Sequence, residues 1–295
     1  MLSLEHLAEL AERFREARAA SVRPMRLEGR VLPFGQRPVL MGVINLSSDS
    51  WYRESVCLTA EAAIRRGRVL AAQGADLVDV GAESTLAHAA RVDEALQQSR
   101  LLPVVRALAA SGVLVSVETY SATVAGAALE AGARIINLTG ISEADAVFEM
   151  VAAYDAAVIL CYVQGPHVRA VGDFEFHDDV VGAMRDWFAA LVDRAQQRGV
   201  EKILVDPGLG FYYRNLQDSA MRVRHQMQVF LQTFRLRTLG YPICHALPHA
   251  FEYFGEEVRC AEPFFAVLAA LGGTDLFRTH EVPRVRAVLE TLAVY

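Results

Sequence analysis

Polar residues recur in this 295-residue chain at the ends of short apolar runs. Asn45 closes Met41-Gly42-Val43-Ile44, Asp79 and Glu83 with Ser84 and Thr85 follow Leu77-Val78, and Glu118-Thr119 close Val115-Ser116-Val117. Further along stand Asn137, Gln164-Gly165, Asp206-Pro207-Gly208 and the alternating pair Arg278 and His280. Brought onto one face, these carboxylates and amides form a wall that can read a flat, nitrogen-rich heterocycle. Asp79, Glu118, Asn137 and Asp206 accept from ring N–H and amino groups, and the amide also donates. Arg278 and His280, two apart on an extended segment, point the same way and suit an anion such as a diphosphate. Taken singly, an Asp or Asn at such an end is more often a turn or helix-cap residue. Recurrence at nearly every exit, with no such regularity at the starts of the runs, favours the chemical reading.

Elements that would gather these residues are legible in the apolar pattern. Strand-like runs occur at Val39–Asn45, Leu77–Glu83, Val113–Thr119, Arg134–Thr139, Ala157–Val163, Lys202–Gly208, Pro242–Ala246 and Asp275–His280. Helical periods lie between them at Thr59–Gln73, Arg91–Ala109, Ser121–Ala131, Ser142–Tyr154, Asp178–Arg198, Leu216–Leu239 and Ala261–Leu271, and Val282–Val294 closes the series. Continuous apolar strands alternating with helices imply a parallel sheet, and eight such units close into a (β/α)₈ barrel with its chemistry at the strand C-termini. An open doubly wound sheet is the alternative, but the loop Asn45–Ser50 has no glycine for a phosphate turn. Residues 1–38, a charged helix followed by Met25–Phe34, read as an N-terminal extension that plugs or flanks a barrel over 39–295. No linker, repeat or low-complexity segment divides the chain.

Composition narrows the classes. A formal net charge of −6 argues against general nucleic-acid or acidic-membrane binding. No apolar run is long enough to span a bilayer, and the charged start does not suit a secretory signal. Four scattered cysteines without a CxxC pattern fit a reduced cytoplasmic interior.

Two stretches carry a resemblance. Met41-Gly42-Val43-Ile44-Asn45-Leu46-Ser47-Ser48-Asp49-Ser50-Trp51 resembles the M-G-I-L-N-x-T-x-D-S-F signature of the dihydropteroate synthase family. Gly74-Ala75-Asp76-Leu77-Val78-Asp79-Val80-Gly81-Ala82-Glu83-Ser84-Thr85 resembles its G-A-D-I-I-D-V-G-G-E-S-T. Val115–Thr119, Ile135–Asn137, Asp206–Phe211 and Phe277–Val282 continue the likeness in order to the C-terminus. The resemblance implies a pterin-binding TIM barrel that joins 6-hydroxymethyl-dihydropterin diphosphate to an amine, usually 4-aminobenzoate. It implies that Asn45 meets the diphosphate or its Mg²⁺, that Asn137 and Asp206 bind the pterin edge, and that Arg278 and His280 hold the leaving diphosphate. A homodimer is also implied, and the apolar residues of Ala261–Leu271 and Val282–Tyr295 allow it.

The chain departs from the family's pattern on one side. Pro248-His249-Ala250 stands where the family has S-R-K, so a fixed lysine cation is gone. Val117-Glu118-Thr119 replaces V-D-T, Leu138 takes the place of an acid, Ser84-Thr85-Leu86-Ala87-His88 replaces S-T-R-P-G, and Cys161–Gly165 replaces M-H-M-Q-G. His245, His249, Arg53 and Arg91 are candidates to replace the cation. The losses fall on the arylamine side, whereas Asn45, Asp79, Asn137, Asp206, Arg278 and His280 remain. The sequence therefore leads first to a transferase acting on an atypical amine, and second to a pterin-binding pseudoenzyme or partner of an active paralogue. A metal-dependent hydrolase built on Cys244, His245, His249 and His280 is the remote third reading.

Overall fold

The computed structural model describes residues 1–47, 49, 52, 55–84, 89, 91–211 and 213–295. The chain enters through helices α1 (Leu4–Arg13) and α2 (Arg15–Arg18) and an antiparallel hairpin of β1 (Met25–Leu27) and β2 (Arg30–Leu32). Glu28 and Gly29 both take positive φ (48° and 76°), as a two-residue hairpin turn matched to strand twist requires.

Eight parallel strands follow: β3 (Val39–Asn45), β4 (Leu77–Gly81), β5 (Val115–Thr119), β6 (Ile135–Leu138), β7 (Ala157–Cys161), β8 (Lys202–Asp206), β9 (Cys244–Ala246) and β10 (Leu276–Thr279). They pair in the order β8-β7-β6-β5-β4-β3-β10-β9, and a bridge between Val205 and Ile243 closes the ring. β9 is shorter than the apolar run suggested because Pro242 has no N–H. Its carbonyl instead accepts from the Val205 amide at 3.1 Å.

The outer helices are α3 (Ala60–Ala72), α4 (Glu94–Ala110), α5 (Ala122–Glu130), α6 (Ala144–Ala153), α7 (Val180–Gln197), α8 (Ser219–Gln232), the short α9 (Phe251–Phe254), α10 (Ala261–Leu271) and α11 (Val282–Leu292). Thr59, Asp93, Ser121, Asp179 and Asp218 cap α3, α4, α5, α7 and α8 with side-chain oxygens, so the caps fall to residues other than the polar ones singled out at the strand exits. The single helical period expected over Leu216–Leu239 divides into α8 and a tighter 3-10 segment, Thr233–Leu239. No helix among the described residues is long and apolar enough to cross a membrane.

Two apolar layers result. One lies between strands and helices. The other fills the barrel, where the hairpin residues Met25, Leu27 and Leu32 and the fully buried Phe34 pack against Val39, Leu77, Ile135 and Leu276 at the strand starts. The hairpin thus plugs the end opposite the strand exits, and inward side chains at the other end are left to line a cavity. Phe34→Ala should cost about 3–5 kcal/mol, read as a shift in the denaturant midpoint, while the strand-exit side chains keep their places.

Candidate active site

The strand C-termini surround a cavity of about 290 Å³ that reaches from Asn45 to His280. This is at the small end for a small-molecule site and suits one flat ring system.

Its floor is a connected polar network. Arg278, on β10, crosses the barrel to Asp79 on β4 (Nε to Oδ2, 2.7 Å) and to Glu118 on β5 (Nη2 to Oε2, 2.5 Å). Ser116 donates to Asp79 Oδ1 at 2.6 Å, and Asn137 Nδ2 donates to Oδ2 at 3.1 Å. The Cys161 thiol in turn donates to Asn137 Oδ1 at 3.2 Å. Across the barrel, Asp206 Oδ1 accepts from the Gly208 amide at 2.8 Å. Asp206 also meets the Cys244 thiol. Gly208 has φ +70°, and a Cβ there would lie 2.3 Å from the Tyr162 carbonyl, so the turn that presents Asp206 requires glycine.

Burial sets the protonation of this floor. It raises Asp206 to about 6, against the stabilising Gly208 amide. It also raises Glu118, helped by the charges of Asp79, Asp206 and Glu83 and opposed by Arg278. Burial works against the Arg278 charge, but Glu118 and Asp79 outweigh it and raise its pKa. Cys161 and Cys244 are pushed well above the ordinary thiol range, first by burial, and serve as neutral donors.

The mouth is built differently. Asn45 Nδ2 donates to Ser55 Oγ at 2.6 Å, and Ser55 Oγ donates to the Tyr52 carbonyl at 2.7 Å. The Tyr52 ring lies against both His249 (centroids 4.9 Å) and His280 (4.8 Å), and its hydroxyl donates to Glu281. His280 Nδ1 meets Oε1 of the fully buried Glu262, from the first turn of α10, at 2.6 Å. Burial lowers the His280 pKa despite that carboxylate.

The predicted residues thus divide. Asn45, Ser84, Glu118, Asn137, Asp206, Arg278 and His280 line the cavity. Asp79 sits beneath it as the anchor of Arg278 and Asn137. Gln164 does not line it: its side chain accepts from the Glu175 amide at 2.6 Å and donates to the Glu175 carbonyl at 3.1 Å, pinning a neighbouring loop. Thr85 and Arg53 lie outside the described residues. Glu83 accepts from Tyr120 at 2.7 Å and from the Val92 amide at 3.1 Å, which makes it a support for the second loop. Arg169, unmarked in the sequence, ties that loop through the carbonyls of Ser84 (2.9 Å) and Ala89 (2.7 Å).

Of the ligand set imagined for a hydrolase, His249 and His280 come together at the mouth, with ring centroids 5.0 Å apart, whereas His245 and Cys244 do not join them. His245 is fully buried against Thr233 (2.8 Å) and Phe230, with its pKa pushed down to about 3, and Cys244 faces Asp206. Where a lysine is missing from the rim, the cavity is lined by Pro248, His249, Ala250 and Phe251. The arginine on that rim is Arg222 of α8, 2.6 Å from Glu252.

A family model described as "Pterin binding enzyme" matches residues 41–280. The chain belongs to the dihydropteroate synthase family. It is 34% identical over 264 residues to a dihydropteroate synthase of Mycobacterium leprae, covering 86% of this chain and 91% of that one. The dihydropteroate synthase of Xanthomonas albilineans, solved with 4-aminobenzoic acid, superposes with TM-score 0.78 at 29% identity, covering 93% of this chain and 98% of that one. That of Burkholderia cenocepacia, complexed with 7,8-dihydropteroate, gives 0.78 at 27% identity over 93% and 96%.

In this family member the floor depends on Arg278. Arg278→Met leaves Asp79 and Glu118 buried without a cation and should cost about 3–5 kcal/mol. Burial already raises Glu118, and without Arg278 its folded-state pKa would lie further above the unfolded one, so the penalty is full at high pH and shrinks as Glu118 protonates. Urea denaturation at pH 8 and pH 5 should show the larger deficit at pH 8.

Proposed function

We propose that this chain binds a dihydropterin diphosphate and transfers its pterin-methyl group to an amine. The observation that carries the reading is the pairing of Asp206 with Asn137 at the floor of a ring-sized cavity, with Asn45 and His280 at its mouth. An ionised Asp206 can accept two N–H groups from the amino-pyrimidine edge. Asn137 is held by Asp79 and Cys161 so that its amide meets the same edge without rotating. Arg278 lines the slot with Nε and Nη2 committed to Asp79 and Glu118, so its planar face is turned to a ring.

Bound this way, the substrate has its methylene toward the mouth. The C–O bond breaks with its electron pair passing to the diphosphate, and the pterin delocalises the positive charge left on the methylene. The amine nitrogen then forms the C–N bond and gives up a proton. What the chain must supply is polar stabilisation of the leaving group, by a ring N–H of His280 and by Asn45. Mg²⁺, when bound with the diphosphate, would supply charge neutralisation. Asn45 would hold it through its amide oxygen, the nitrogen being committed to Ser55. One neutral oxygen fits an ion whose other ligands are phosphate and water.

For the second substrate, we propose an amine other than 4-aminobenzoate as the main partner. The rim of Pro248, Ala250 and Phe251 has no lysine, and Arg222 is engaged by Glu252. Incubation with dihydropterin diphosphate, Mg²⁺ and a panel of amines, followed by product mass, tests this. An adduct with another amine is expected, with dihydropteroate formed about a hundredfold more slowly or worse. Comparable dihydropteroate formation refutes the altered specificity, and pterin binding without any adduct favours a pseudoenzyme. Ala250→Lys should raise dihydropteroate formation if Pro248–Ala250 occupies the place of S-R-K.

Asp206 gives a sharper test of pterin binding itself. Asp206→Ala removes two charge-assisted hydrogen bonds and should weaken pterin binding about a hundredfold, from ~1.5 kcal/mol each. Asp206 rises to about 6 in the free protein, with Arg278, Asp79 and Cys244 around it. Since the ionised form binds, affinity should be level above pH 7 and fall about tenfold per unit below pH 6 in titration calorimetry. A flat profile removes Asp206 from the role.

A further inference from the structure

We propose that His249, Glu262 and His280 form a binding site for a divalent metal ion of the zinc type, distinct from any Mg²⁺ held with a diphosphate at Asn45. The three side chains come from the loop after β9, the first turn of α10 and the exit of β10. Their ligand atoms all lie within 4.8 Å of one another.

Glu262 is arranged as a ligand would be. It is fully buried, and its Oε2 accepts from the Thr279 hydroxyl, the His280 amide (2.9 Å) and the Glu281 amide (3.1 Å). Those donors fix the carboxylate and leave Oε1 directed at two imidazoles. His280 Nδ1 is 2.6 Å from it and His249 Nε2 is 3.2 Å from it. The His249 nitrogen is buried and faces Oε1 without a well-aligned hydrogen bond, so it points into the cluster. A first ligand fixed by outer hydrogen bonds is the usual construction of a metal site.

Charge balance points the same way. A buried carboxylate needs a compensating cation. Among the described residues its ionic neighbours are these two histidines, while Arg259 and Arg284 are spent on Glu281. Two protons would put two imidazoliums with ring centroids 5.0 Å apart in a buried setting, where they repel. One divalent ion supplies the same charge with both rings neutral. Two imidazole nitrogens and one carboxylate oxygen suit zinc better than magnesium, and they match the three-ligand pattern that keeps a position open. His249 and His280 both border the cavity, so the open position faces it and would take water or an anionic oxygen.

The site does not depend on the transfer reaction, and its test uses the metal alone. Full-length protein stripped with a chelator is titrated with Zn²⁺ by calorimetry, and with Co²⁺ by visible absorption. One equivalent of Zn²⁺ should bind with a Kd of about 1 μM or tighter, and Co²⁺ should give the intense bands of a tetrahedral site. His249→Ala, in a loop, removes a ligand and should weaken Zn²⁺ binding about a hundredfold or more, since lost outer-shell partners alone cost up to about that. Glu262→Gln, checked for folding by circular dichroism, should do the same, and His249→Ala carries the test alone if that variant does not fold. Absence of Zn²⁺ binding at about 100 μM, or an unchanged affinity in folded His249→Ala, overturns the proposal.

Discussion

The buried guanidinium of Arg278 is the constraint on which the interior depends. A cation placed inside a barrel must be paired, and here it draws one carboxylate from β4 and another from β5. Each carboxylate then needs its own donors: Asp79 takes Ser116 and Asn137, and Asn137 takes the Cys161 thiol. Partnering therefore propagates from β10 through β4 and β5 to β6 and β7. The result is a floor whose donors and acceptors are oriented before any ligand arrives. Because each member is buried or nearly so, removing one strands another, which makes the floor costly to change piecemeal.

Pro248 and Ala250 at the rim are under no such constraint. Pro248, His249 and Ala250 lie at the rim, and Ala250 sits at φ +44°, a left-handed conformation that an alanine tolerates at some cost. Substitution there reshapes the rim without disturbing the floor. This separation accounts for a floor that keeps Asp79, Asn137, Asp206 and Arg278 beneath a rim that lacks the lysine of the family pattern. Floor and rim meet on a single strand end, since Arg278 and His280 are two residues apart on one exit.

Much of this was readable in the sequence, for a physical reason. Buried parallel strands are apolar without interruption, so a polar residue at the end of each run marks the cavity, and β3 spans Val39–Asn45 as its pattern implied. What escaped has an equally physical cause. Gln164 stands at a strand exit but is consumed by the backbone of Glu175, a distant pairing that no local pattern encodes. Arg169 and Tyr52 act through loops that carry no periodicity. Glu262 was absorbed into the helix Ala261–Leu271, although a lone acid in the first turn of so apolar a segment was a signal in itself. It points inward because the start of α10 abuts the end of β10, a tertiary fact.

That placement gives His280 two obligations on opposite faces of one ring. Its Nδ1 is committed to Glu262, so Nε2 is the nitrogen left for an anion in the cavity. A carboxylate behind an imidazole fixes its tautomer and makes the outward nitrogen a more definite donor or ligand. Glu262 is itself fixed by the Thr279 hydroxyl and two backbone amides at the turn that ends β10. The strand that positions Arg278 in the floor thus also positions, through its terminal amides, the carboxylate that orients His280. The orientation of His280 is therefore set by backbone rather than by the rim, and it can persist while Pro248 and Ala250 change.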